Sequence, residues 1–217
     1  MPWFYYVACW LLKVLFSLLT RWEIRGKENV PEEGPLLVVA NHLHLADPPL
    51  LGVSLGREAL FMAKEELFRS SLSAYFVGVL GSFPVHRGRL DREAIRRAKQ
   101  VLADGEALVM FPEASRSSSA QLKSAFPGSA LIASRSGVPI LPVGISGTEK
   151  IKGLGWILRR PRLTVNIGQP FYLPPVDGKL TRAKLAEHTE LIMQRIAELL
   201  PPEYRGVYSG ENKSGED

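Results

Sequence analysis

Cysteine is almost missing from this chain. Cys9 is the only one in 217 residues, which excludes an internal disulfide and any cysteine-based zinc site. That usage is compatible with a reducing compartment. Histidine is scarce as well, at four residues. With no Asp/Glu cluster at ligand spacing beside them, His42 and His44 make a poor metal pair, so no metal site is expected. There is no repeat period and no low-complexity tract, and the 16 prolines and 19 glycines fall singly as punctuation. No basic segment precedes the first apolar run and no small-x-small site follows it, which argues against a cleaved signal peptide. The interleaving of basic and aromatic residues typical of single-strand nucleic-acid binders is also absent. The net charge of +5 therefore points to other anions, namely a membrane surface and anionic substrates.

What is present has the balance of a globular domain, with 46% apolar and 23% charged residues. Residues 1–22 are nearly all apolar, interrupted by Lys13 and a few hydroxyls. About twenty residues at ~1.5 Å each approach the ~30 Å hydrocarbon thickness of a bilayer. Trp3, Tyr5, Tyr6 and Trp22 stand at the ends, where amphipathic rings prefer the interface. Arg21, Arg25 and Lys27 then form a basic flank that favours the cytoplasmic face of the cell membrane. Residues 1–22 are thus expected to be a membrane-attached helical segment, spanning or monotopic, with a buried core helix as the alternative.

Residues 23–204 alternate strand-like and helix-like segments. Strands are expected at 36–40, 60–63, 83–86, 107–111, 140–145 and 163–167. Continuous apolar runs such as Leu36-Leu37-Val38-Val39-Ala40 suit strands covered on both faces. Residues 91–103 place Ala94, Ile95, Ala98, Val101 and Leu102 on one helical stripe, and 181–200 form a long amphipathic closing helix. The pattern predicts an α/β domain with a mixed, largely parallel central sheet flanked by helices. Residues 205–217 are polar and are expected to form a loose tail.

The chemistry concentrates at Asn41-His42-Leu43-His44-Leu45-Ala46-Asp47, after an apolar strand. On one continuous helix His42 and Asp47 would lie about 140° apart, because five residues turn ~500°. Pro48 removes that difficulty. It disfavours helical geometry at Asp47 and suits the first helical position itself, so Asp47 is expected to cap a helix while His42 stays in the loop. Pro49 has no N–H to give a capping carboxylate, which leaves Asp47 freer to hold the imidazole of His42. A carboxylate-oriented imidazole that takes a hydroxyl proton is the general-base half of a catalytic triad. His44 is read as a lining residue or a filler of the loop.

Four ordered blocks carry a resemblance. Asn41-His42-x4-Asp47, Gly81-Ser82-Phe83-Pro84-Val85-His86-Arg87, Phe111-Pro112-Glu113-Ala114-Ser115-Arg116-Ser117 and Val138-Pro139-Ile140-Leu141-Pro142-Val143 resemble the four signatures of the glycerolipid acyltransferase family. That family includes 1-acyl-glycerol-3-phosphate acyltransferases, and the similarity covers roughly residues 23–170. The resemblance implies transfer of an acyl chain from acyl-CoA or acyl carrier protein, a co-substrate and not a resident cofactor, to the hydroxyl of a lysophospholipid acceptor. It implies His42 as base and Asp47 as its orienting partner. It implies Arg87, Glu113 and Arg116 as acceptor-binding residues, the guanidinium forks holding phosphate and Glu113 accepting from a glycerol hydroxyl. Lysophosphatidic acid is the favoured acceptor, ahead of glycerol 3-phosphate and a lyso-aminolipid. Two departures stand out. Ala114-Ser115 replaces the usual Gly-Thr, and Ala114 is strained if its φ is positive. Phe126 precedes Pro127-Gly128 where the family often has lysine, a charge that Lys123 or Lys64 can supply.

Two other classes compete. Gly52-Val53-Ser54-Leu55-Gly56 matches the nucleophile elbow of serine esterases, but that motif needs a strand before its serine, and none precedes Ser54. His188, one of the histidines such a triad would need, sits in a charged stretch and is expected to face solvent. A non-catalytic lipid-binding homologue is the other alternative, and such a binder has no need of the base at His42.

Overall fold

The computed structural model describes residues 3–69, 78, 81–85, 91–176 and 178–210. Its helices are α1 (Trp3–Leu19), α2 (Asp47–Leu55), α3 (Arg92–Ala103), α4 (Gly128–Ser136), α5 (Trp156–Arg159) and α6 (Arg182–Glu198). Its strands are β1 (Arg21–Arg25), β2 (Leu36–Ala40), β3 (Ala59–Lys64), β4 (Ser82–Val85), β5 (Ala107–Met110), β6 (Ile140–Ser146) and β7 (Arg162–Ile167).

The strands form one sheet in the order β1-β7-β6-β2-β5-β3-β4. Every neighbouring pair is parallel except β6–β7. β2 lies at the centre and is buried along its length. Its side chains alternate between two cores, as the pleat requires. Leu37 and Val39 join Ile95, Leu102, Ile132 and Ile192 from α3, α4 and α6. Leu36, Val38 and Ala40 join Leu50, Leu51 and Phe16 from α2 and α1. The mixed, mostly parallel sheet flanked by helices is the architecture expected.

The helix starts follow local chemistry. Asp91 caps α3, its carboxylate accepting from the N–H groups of Glu93 and Ala94, and the Thr181 hydroxyl does the same for Lys184 at α6. At α2 the expectation needs correction. Asp47 is the first helical residue, Ala46 precedes it, and no side chain caps the helix.

Three further points differ from the sequence reading. Arg21 and Trp22, placed in the N-terminal segment, belong to β1 and pair with Arg162 and Leu163 of β7. Among the described residues no helix is long and apolar enough to cross a membrane. α1 instead lies on the domain through one stripe, with Tyr5 and Phe16 buried, while Trp3, Tyr6, Trp10, Leu11, Leu15 and Leu18 are exposed on the other side. Finally, residues 205–210 do not start a loose tail. Gly206–Tyr208 form a 3-10 turn, and Tyr208 packs against the core. Residues 211–217 lie outside the described residues.

Candidate active site

Parallel strands deliver their following loops to one edge of the sheet, which is where α/β proteins gather function. β2 delivers Asn41 and His42 there. Asn41 extends the β2–β6 ladder with its side chain, donating to the Ile145 carbonyl at 2.8 Å and accepting from the Ile145 N–H at 2.7 Å. That pair of hydrogen bonds fixes where the chain leaves the sheet, and His42 follows directly.

His42 is buried, at 4% exposure. Its ring stacks on Phe111, with centroids 4.3 Å apart, and its Nδ1 lies 2.8 Å from Asp47 Oδ2. The same oxygen accepts from the backbone N–H groups of Leu43 at 2.6 Å and His44 at 2.7 Å. The Thr148 hydroxyl donates to Oδ1 at 2.6 Å. An oxygen receiving backbone donors in this way is an acceptor, so Nδ1 carries the ring proton and Nε2 keeps its lone pair. This is the arrangement of a general base held in one tautomer by a buried carboxylate.

The third sequence block closes over this pair. The Ser117 N–H donates to the His42 carbonyl at 2.8 Å. Glu113 is 2% exposed, and its two oxygens accept from the N–H groups of His42 at 3.1 Å and Lys123 at 3.0 Å. Burial raises its pKa to about 6, with those two N–H groups pulling the other way. Glu113 thus braces the His42 loop against the 115–123 loop. Each of its oxygens takes one backbone donor, a bracing role that stands beside the glycerol contact expected of it.

Beside the pair opens a cavity of ≈ 780 Å³ whose wall includes Leu43, His44, Lys64, Arg116, Phe126 and Lys152. Lys64, Arg116 and Lys152 oppose one acid of the wall, Glu149, so the cavity suits an anion. Lys64 also pairs with Glu66 at 3.0 Å. Burial holds the His44 pKa below its usual value. Lys123 does not line the cavity. Its Nζ donates to Ser115 Oγ at 2.6 Å and to the Arg116 carbonyl at 3.0 Å, so it clamps the turn that presents Arg116. Arg87 and His86 lie outside the described residues.

A model of the acyltransferase family matches residues 21–146, more than half of the chain. The chain belongs to the acyltransferase family. It is 30% identical over 190 residues to the 1-acyl-sn-glycerol-3-phosphate acyltransferase of Bacillus subtilis, covering 87% of this chain and 92% of that one. It is 30% identical over 177 residues to a chloroplastic 1-acyl-sn-glycerol-3-phosphate acyltransferase of Brassica napus, covering 78% of this chain and 51% of the relative, so it spans about half of that protein. Among solved structures it is similar to the 1-acyl-sn-glycerophosphate (LPA) acyltransferase of Thermotoga maritima. There the TM-score is 0.66 at 26% identity, over 90% of this chain and 79% of that one.

In this acyltransferase Ser54 is no elbow nucleophile. It lies within α2, fully buried, and its hydroxyl donates to the Leu50 carbonyl at 2.7 Å. His188 is corrected too. It is 1% exposed on the inner face of α6, with Nδ1 2.8 Å from Ser134 Oγ of α4. Two site residues escaped the sequence reading, Thr148 and Lys152. Thr148 follows Gly147, whose φ of +90° puts the chain into the left-handed region. A Cβ at Gly147 would run into the Arg162 carbonyl oxygen, so glycine is required for the turn that aims Thr148 at Asp47.

Proposed function

We propose that this acyltransferase moves a fatty acyl group from acyl-CoA or acyl carrier protein to the free hydroxyl of 1-acyl-glycerol 3-phosphate, forming phosphatidic acid. The observation that carries this reading is the buried His42–Asp47 pair at 2.8 Å beside a cavity walled by Lys64, Arg116 and Lys152. His42 Nε2 takes the hydroxyl proton as the acceptor oxygen attacks the thioester carbonyl. The tetrahedral adduct collapses, the C–S bond breaks, and the proton passes from the imidazolium to the departing thiolate. Asp47 stabilises the imidazolium between those steps, and no covalent enzyme intermediate is needed. Arg116 and Lys152 hold the phosphate of the acceptor, with Arg87 as a further candidate from the sequence pattern.

The acceptor carries one acyl chain and resides in a bilayer. Withdrawing it would cost ~0.8 kcal/mol per exposed CH₂, so the enzyme works best held at the interface. The outer stripe of α1, from Trp3 to Leu18, supplies a monotopic attachment that lies along the surface. The basic residues Arg21, Arg25 and Lys27 suit an anionic, cytoplasmic leaflet, the side on which thioester donors are found.

The test is release of free thiol from acyl-CoA by the purified protein across a panel of acceptors. Turnover with 1-acyl-glycerol 3-phosphate should exceed that with glycerol 3-phosphate or a lyso-aminolipid. His42→Ala should lower it by ~10²–10⁴ without loss of folding. Retention of most activity in that variant would remove His42 from the chemistry.

A further inference from the structure

Five large apolar side chains outside α1 stay exposed on the edge of the sheet that carries the site. Leu45 is 61% exposed within the His42–Asp47 loop, and Phe126, at 50%, lines the cavity. Leu154 at 86%, Ile157 at 41% and Leu158 at 90% stand in the connection between β6 and β7. The topology puts that connection on the same edge. β6 runs parallel to β2 and ends where His42 begins, and β7, antiparallel to β6, starts there.

The end of α1 reaches this edge too. β1 is parallel to β7, and the Arg21 N–H donates to the Pro161 carbonyl at 3.0 Å. The Arg160 guanidinium donates to the Ser17 carbonyl at 2.9 Å, tying the turn that bears α5 to the last turn of α1. The connection is therefore anchored at both ends. Lys152 lines the cavity at one end, Arg160 grips α1 at the other, and Leu154, Ile157 and Leu158 project between them.

The charges around these side chains select the occupant. Between residues 149 and 162 the chain carries Lys150, Lys152, Arg159, Arg160 and Arg162 against Glu149 alone. An apolar centre with a basic surround suits an anionic bilayer interface, where leucines enter the acyl region and cations meet the headgroups.

We propose that residues 152–160 form a second bilayer contact, distinct from the α1 stripe, that seats the mouth of the acceptor cavity at headgroup depth. Lys152 stands where the inserted loop meets the cavity, so an acceptor moving sideways in the leaflet meets a cation before leaving the interface. This inference rests on the reading that the acceptor is embedded in a bilayer.

The test uses the full chain and vesicles of phosphatidylcholine with phosphatidylglycerol. Leu154→Ser/Leu158→Ser should lower the vesicle partition coefficient about ten-fold or more. Its melting temperature should not move, because both side chains are already exposed. Turnover on bilayer-embedded acceptor should fall with partitioning, while turnover on a short-chain, water-soluble acceptor should hold. In a Cys9→Ser/Leu154→Cys variant, an environment-sensitive fluorophore at position 154 should shift to the blue on vesicles and be quenched by chain-labelled nitroxide lipid. An unchanged partition coefficient, or a fluorophore that stays in water, overturns the proposal. So does a double variant that only loses self-association in sedimentation, since the face would then join two copies of the chain. Vesicle binding needs no turnover. Unaltered protein that binds vesicles but releases no thiol with any acceptor would count against the proposed reaction and leave this contact standing.

Discussion

Ala114 has φ of 54°, a left-handed conformation in which a Cβ crowds the following carbonyl. It lies in the third sequence block, where the related pattern has glycine, and its N–H donates to the Phe111 carbonyl at 3.0 Å in a tight turn. The turn is held from outside by the Glu113 bridge and the Lys123 clamp, so the strain persists in the folded state. Ala114→Gly should therefore raise unfolding stability by ~1 kcal/mol, read as a higher urea midpoint at unchanged m-value. Lys152 makes its own residue-scale prediction. Its side chain stands in the cavity wall with Arg116, and Lys152→Ala should raise the KM for a phosphate-bearing acceptor roughly ten-fold or more, the worth of a charged hydrogen bond. Unchanged acceptor KM with raised donor KM would move Lys152 to the thioester side. Local order makes some of these residues legible in sequence and hides others. His42 and Asp47 are five apart, and a local turn, closed by the Asp47 N–H on the His44 carbonyl at 3.1 Å, brings them together. Thr148 and Lys152 lie about a hundred residues away, and only the return of β6 beside β2 brings them to the same place.

At the scale of elements, the loop after β2 and the loop after β5 form one unit through Glu113, and that unit has a pH signature. The Glu113 pKa is raised to about 6 from a usual 4.5 by burial. A carboxyl that binds its proton more tightly when folded stabilises the fold below pH 4.5, and that contribution is lost as pH rises through about 6. The loss amounts to roughly 2 kcal/mol. Unfolding free energies of the parent protein and Glu113→Gln, measured from pH 4.5 to 7, should diverge by about that amount, the parent losing ground as pH rises. Curves that run parallel would place Glu113 in an environment more like water. The elements themselves were legible where pattern and burial agree, as in β2, β5, β6 and the stripe of α3. β1 was hidden because Arg21-Trp22-Glu23-Ile24-Arg25 is an edge strand with exposed, charged ends, and α4 because its short run is buried on most sides. His188 was misjudged from its charged neighbours, whereas the helical phase of Ile192 and Ile196 on α6 turns it inward.

For the whole molecule, the proposed reaction poses the question of how the catalytic edge would meet an acceptor held in a bilayer. α1 is 17 residues, ~25 Å long, and runs from the start of β3, where the Tyr6 hydroxyl meets Glu58, to the catalytic edge at Arg160. One stripe of it completes the core through Tyr5 and Phe16, and the opposite stripe offers Trp3, Trp10, Leu11 and Leu18 to whatever lies outside. These two jobs respond differently to change. Deleting residues 3–19 would strip Phe16 from the core it shares with Leu50 and Val165 and should lower stability and all activity together, on soluble and embedded acceptors alike. Trp10→Ser/Leu18→Ser touches only the outer stripe, where those side chains are 62% and 66% exposed. It should leave the melting temperature within a degree or two, because exposed substitutions of this kind are usually worth less than ~0.5 kcal/mol. Binding to anionic vesicles should drop about ten-fold or more, since aromatic and leucine side chains supply most of the affinity of an interfacial helix. Activity on bilayer-embedded acceptor should follow the loss of binding, and activity on a short-chain acceptor should not. If both activities fell equally while the protein stayed folded, the outer stripe would be serving the catalytic fold, and attachment would rest on the catalytic edge alone.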